Sequence, residues 1–143
     1  MDRTGHERPA RDYRTDDHGS RTVSDRGAGK VFLSDSVLIR GVPSVAPGPI
    51  ELLVSALGSC ALARVQSDAR EHGIAISGAT ASITSIRDES DDTRCKSIQV
   101  DIVVAGVTLA VADRLIEHFV GHCPIFNAIR RGGPIAVSVT AAP

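Results

Sequence analysis

A helix running from about Pro49 to His72 would be apolar or small on nearly every side between Leu52 and Ala63. Such a half-helix must be buried all round, so the rest of the chain has to supply the covering surface. Proline suits a first helical turn, and Glu51 suits the positive end of the helix dipole. The second half, Arg64 to Glu71, is charged and is expected to face water, and Gly73 is placed to cap the C-terminus. Sheet wrapped around a long central helix is the packing this pattern asks for.

Strand signals flank that helix. Arg21–Asp25 and Lys30–Leu33 are short β-prone runs joined by the turn residues Arg26-Gly-Ala-Gly29, and Val37-Leu38-Ile39 is a third such run. Ile74–Ile86 and Lys96–Val104 read as a second hairpin, with the polar turn Asp88–Arg94 between them. In its second strand Ile98, Val100, Ile102 and Val104 alternate with Gln99 and Asp101, a half-buried strand. Gly106 ends the hairpin, and Thr108 is placed to cap a helix carrying Leu115, Ile116, Phe119 and Val120 at helical spacing. Gly121 disturbs that helix, Cys123-Pro124 opens another to about Arg130, and Ile135–Thr140 is a last strand. Tight hairpins imply antiparallel pairing, so the class is α+β rather than βαβ.

The chain has 143 residues, enough for one domain with a real core. Residues 1–20 are polar with little to bury and read as an N-terminal arm, leaving 21–143 as a single domain. With 16 basic against 17 acidic residues, charge gives no reason to bind nucleic acid or an anionic membrane. Three Phe, one Tyr and no Trp leave few platforms for stacking bases. No apolar stretch approaches the ~18 residues of a membrane span, and the N-terminus lacks the apolar core of a secretory signal. The expected location is therefore the cytoplasm, where three cysteines are not a structural disulfide framework.

Two of those cysteines sit in distinctive settings: Cys60 within the apolar helix, and Cys123 directly before Pro124 at a helix start. The run Pro49-Ile-Glu-Leu-Leu-Val-Ser-Ala-Leu-Gly-Ser-Cys60 and the run Cys123-Pro-Ile-Phe-Asn-Ala-Ile-Arg130 resemble the two motifs of the OsmC/Ohr superfamily of organic hydroperoxide reductases. Element order and motif separation agree with that family from about Arg21 to Thr140. The resemblance implies an OsmC-like α+β fold, with antiparallel sheets around the central helix, in an intertwined homodimer with active sites at the subunit interface. It also implies a peroxidatic Cys60, a resolving Cys123, and an arginine that holds the thiolate. Arg40, nine residues before Pro49, inherits that last role, and Arg21 is the second candidate. The implied partners are a hydroperoxide and an external dithiol reductant, with no bound cofactor and no metal.

One position departs from the peroxidase branches, which carry a carboxylate directly after the helix-opening proline. Here Ile50 stands there and Glu51 follows, turned by ~100° about the helix axis. Glu51 is a candidate for the site, but helix initiation accounts for it better. A family member that binds a small apolar or thiol ligand without turnover therefore stays open, as does a redox sensor. Apart from the resemblance, Cys60 reads as a small buried hydrophobe and Cys123 as a packed junction thiol. Arg40 alone would be a solvated loop arginine, and Cys95, at a strand start, reads as structural. His118 and His122 lie four apart on one helix, but no third metal ligand is evident in the sequence, so they read as surface histidines.

Overall fold

A computed structural model describes residues 11–15, 21–25, 31–35 and 44–143. The chain forms two compact units, Met1–Leu52 and Leu53–Pro143. In the first, β1 (Arg11–Thr15), β2 (Arg21–Asp25) and β3 (Val31–Ser34) form an antiparallel sheet in that order. β2 and β3 are the two β-prone runs either side of the glycine turn. β1 lies within the segment that reads as a polar arm. Backbone pairing of Tyr13 with Val23 and of Arg14 with Thr22 orders it, a source of structure that side-chain hydropathy does not report. The third β-prone run, Val37–Ile39, lies outside the described residues.

Helix α1 spans Pro49–Glu71. At its start the Gly48 N–H donates to Glu51 Oε2 at 2.6 Å, the reciprocal half of a capping box, so Glu51 is engaged in initiating the helix. At its end the Ile74 N–H reaches Ala69 O at 2.8 Å and the Gly73 N–H reaches Arg70 O at 3.3 Å, with Gly73 at φ +65°. This Schellman closure needs a left-handed residue, which glycine supplies without steric cost. It also commits Ile74 to the helix cap, so the following strand begins later than the hydropathy pattern suggests.

In the second unit, β4 (Gly78–Arg87) pairs antiparallel with β5 (Cys95–Ala105). Asp88 closes their turn: its Oδ1 accepts from the Ser90 N–H and hydroxyl, and its Oδ2 from Arg94 Nε at 3.0 Å. Thr108 then caps α2 (Leu109–His122), accepting from the Val111 N–H, and Gly121 stays within that helix. α3 (Pro124–Gly132) follows at once, and β6 (Ile135–Ala142) completes the unit.

The sheet order is β4-β5-β6, but β6 runs parallel to β5, with Ile98 opposite Ile135 and Ala105 opposite Ala142. The sheet is therefore mixed, which corrects the expectation of antiparallel pairing throughout. The crossover through α2 and α3 returns the chain to the end at which β5 began, as a parallel connection requires.

Ile98, Val100, Ile102 and Val104 are all buried, the alternation read from the sequence. They form one core with Leu57, Ala61, Val65 and Ala69 of α1 and Leu115, Ile116 and Phe119 of α2. Gly58 lets α1 approach β4: a methyl group there would lie 2.7 Å from Ile83 Cδ1. The first half of α1 is nonetheless not covered all round in the single chain, since Leu53, Ala56 and Ala63 are exposed. Its second half is not simply solvated either, because Asp68 is only 6% exposed. By length and composition α1 would also qualify as a membrane span, at 23 residues and mean hydropathy 1.2, contrary to the reading that no stretch comes close. Its leucines, valines and alanines raise the average, and a core helix passes the same test.

Candidate active site

The chain between α1 and the α2–α3 junction brings the two motif cysteines together. Cys60 projects half-buried from the middle of α1, and Cys123 is fully buried between the two helices. Their sulfurs are 2.7 Å apart, and both are free thiols. A disulfide bond is ~2.05 Å long, so a sub-ångström shift separates the two states. Cys95 lies at the start of β5, where it pairs across the sheet with Arg87 rather than with the other thiols.

Cys123 is held by its own backbone. Its N–H donates to Phe119 O at 2.9 Å, ending α2, and its carbonyl accepts from the Asn127 N–H at 3.0 Å, starting α3. Asn127 Nδ2 adds bonds to Cys123 O at 2.9 Å and to Val120 O at 3.1 Å, pinning the junction from the α3 side. Hydropathy gave no sign of this role for Asn127, whose clue was its position one turn after the proline. Phe119 meets Phe126 edge-to-face at 5.3 Å, which seats α3 against α2.

Pro124 occupies the first position of α3, so the first free amides of that helix belong to Ile125 and Phe126. The Phe126 N–H donates to Cys123 Sγ at 3.4 Å, making the thiol the cap of the helix. The Ile125 N–H acts on Cys60 in the same way and favours its thiolate. One helix N-terminus thus addresses both sulfurs.

The Cys60 thiol is nevertheless pushed up to about 11 from its ordinary 9.0. Burial is the largest cause, followed by the hydrogen bond and the charge shared with Cys123; the positive charge of Arg64 and the Ile125 amide pull the other way. Arg64 is half-buried rather than solvated, and the sequence signal that could have singled it out was its place four residues after Cys60.

Arg40 lies outside the described residues, and of Arg21 only its backbone place in β2 is described. Ile50 is 40% exposed, and the Glu51 carboxylate bonds Gly48 as above. His118 and His122 stack at 4.1 Å, while His118 Nδ1 lies 3.3 Å from Asp68 Oδ1 and His72 Nδ1 lies 3.2 Å from the same oxygen. His72 and His118 thus flank a buried carboxylate that the hydropathy pattern placed in water, while His122 Nδ1 lies 2.9 Å from His118 O. Among the described residues no group of three His, Cys, Asp or Glu side chains is arranged to hold a metal ion.

Residues 41–138 match the family model for the OsmC-like protein. Among solved structures, the chain is similar to an OsmC-like protein from Mycoplasma pneumoniae, at TM-score 0.82 and 18% identity over 100% of both chains. It is similar to an organic hydroperoxide resistance protein OsmC from Legionella pneumophila, at TM-score 0.69 and 17% identity, covering 92% of this chain and 96% of that one. A third similarity is to the organic hydroperoxide resistance protein OhrB of Bacillus subtilis, at TM-score 0.63 and 17% identity, covering 92% and 98%. At these identities the likeness is one of fold. No curated protein sequence matches.

Proposed function

The chain belongs to the OsmC-like protein family, and from that premise we propose that it is a thiol-dependent peroxidase that reduces organic hydroperoxides. The observation that carries this reading is the 2.7 Å separation of Cys60 and Cys123 sulfurs on two different elements. Exposure supports the division of labour: Cys60 is half-buried and reachable, while Cys123 is fully buried behind it. The Cys60 thiolate attacks the O–O bond, the alkoxide leaves and takes a proton as alcohol, and Cys60 becomes a sulfenic acid. The Cys123 thiol then displaces hydroxide as water and closes the disulfide, and an external dithiol returns both sulfurs to thiols. The half-buried aliphatic side chains around Cys60, including Ile125, suit a substrate with an apolar tail.

The reading includes a cytoplasmic homodimer with its sites at the subunit interface. The exposed Leu53 on the apolar helix, at 40%, supports a second copy as its cover. A second reading is favoured by one observation: a thiol pushed up to about 11 is almost wholly protonated at neutral pH. In that case the same site binds a small apolar or thiol ligand without turnover.

The test is a single turnover of reduced protein with one equivalent of an organic hydroperoxide, followed by mass spectrometry of the thiols. The peroxidase reading expects a rapid Cys60–Cys123 disulfide with Cys95 left free, and loss of turnover in Cys60→Ser. If both thiols persist, or Cys60 drifts slowly to sulfinic acid, ligand binding takes its place.

A further inference from the structure

Cys60 and Arg64 are both drawn from the same face of α1, one turn apart. Residues four apart on a helix have their Cβ atoms ~5–6 Å from each other. Long helical side chains lean toward the N-terminus, so an arginine at 64 covers the surface over position 60. Arg64 is half-buried, and among the described residues it forms an ion pair with no carboxylate. The developing anion one turn away is the Cys60 sulfur.

We propose that Arg64 is a positioning residue that stabilises the Cys60 thiolate from within the thiol's own helix, alongside the Ile125 amide at the start of α3. This inference deepens the peroxidase reading and rests on it for its purpose, although the electrostatic claim stands without turnover. The direction in which Arg64 moves the thiol agrees, since its positive charge lowers what burial raises. A helix-borne guanidinium is fixed relative to the sulfur by backbone geometry, so it needs no loop rearrangement to reach the thiolate.

The experiment is the pH dependence of Cys60 alkylation by iodoacetamide in the reduced full chain, with modified peptides separated by mass spectrometry so that Cys95 serves as an internal reference. In Arg64→Gln the rate curve moves to higher pH by about one unit, the size expected for loss of a nearby opposite charge. The rate at pH 7.5 falls about threefold, because the rarer thiolate is also the more nucleophilic one. Arg64→Lys retains most of the wild-type profile, and Arg64→Met, which keeps the methylene stem but not the charge, behaves as Gln does. Raising the salt concentration shifts the wild-type curve toward that of the variants, as charge screening requires. An unchanged Cys60 profile in Arg64→Gln, an equal shift in Arg64→Lys, or a wild-type curve indifferent to salt overturns the proposal. No peroxide enters the measurement, so failure of the single-turnover reaction and failure of this inference are read separately.

Discussion

Replacing Cys123 by alanine should make Cys60 more reactive toward an alkylating agent while abolishing its disulfide chemistry. The Cys60 thiol stands at about 11 against an ordinary 9.0, and after burial the causes are the hydrogen bond to Cys123 and the charge that the second sulfur would share. Alanine removes both of these and leaves burial opposed by Arg64 and the Ile125 amide, so the thiol falls from about 11 toward its ordinary 9.0. At pH 7.5 the thiolate fraction is about 0.03% at the upper limit and about 3% at the lower, one decade per unit. Nucleophilicity falls as the thiol becomes more acidic, which cancels roughly half of each decade. The ceiling on the acceleration is then about tenfold, and with the largest cause left in place the expected gain is about threefold. The assay is Cys60 carboxamidomethylation followed by mass spectrometry, with Cys95 as reference. Cys123 is fully buried, so its thermal transition is recorded alongside to show that the smaller side chain leaves the fold intact. A Cys60 rate equal to or below wild type would falsify the view that the partner sulfur suppresses the attacking thiol.

Two stability predictions follow from the frame around the site. Gly58→Ala adds a methyl group 2.7 Å from Ile83 Cδ1, the far end of a side chain that can turn aside, so a rotamer cost of ~0.5–1.5 kcal/mol opposes the ~0.5–1 kcal/mol helix-propensity gain and the net change is small. Ile83→Val deletes the obstructing carbon, so in urea titration the double variant should be ~0.5 kcal/mol or more above the sum of the single variants; additive effects would show that α1 and β4 do not meet at Gly58. Asp88 is held below its ordinary 3.8, first by the Ser90 side-chain hydrogen bond and then by the Ser90 backbone. A carboxylate lowered by folding lends stability that is present above pH 3.8 and lost as pH falls from there through its folded value. Thermal melts between pH 5 and 2.5 should therefore show a shallower acid loss in Asp88→Asn, and parallel curves would count against the turn as a contributor.

How legible the molecule was in its sequence differed from element to element. β5 was readable because strict alternation of Ile98, Val100, Ile102 and Val104 has one structural solution, and all four are buried. Both ends of α1 were readable because proline, Glu51 and Gly73 act through local backbone bonds that need no distant partner. The motif cysteines stood out through the family resemblance, since their local settings alone read as a buried hydrophobe and a packed junction thiol. By contrast, β1 contains little to bury and exists through its pairing with β2, a non-local backbone contact. The parallel placement of β6 depended on which way the α2–α3 crossover returned the chain.

For this chain, local sequence was enough to determine most of the element types and the capping of α1, because each follows from short-range periodicity or from a residue's own conformational limits. Only the tertiary structure decided that the thiols 63 positions apart meet at 2.7 Å. It also decided that Asp68 is buried against His118, and that Arg64 is half-buried without a carboxylate partner among the described residues. Those outcomes depend on dielectric and distance, which are properties of a packed environment and not of any stretch of chain.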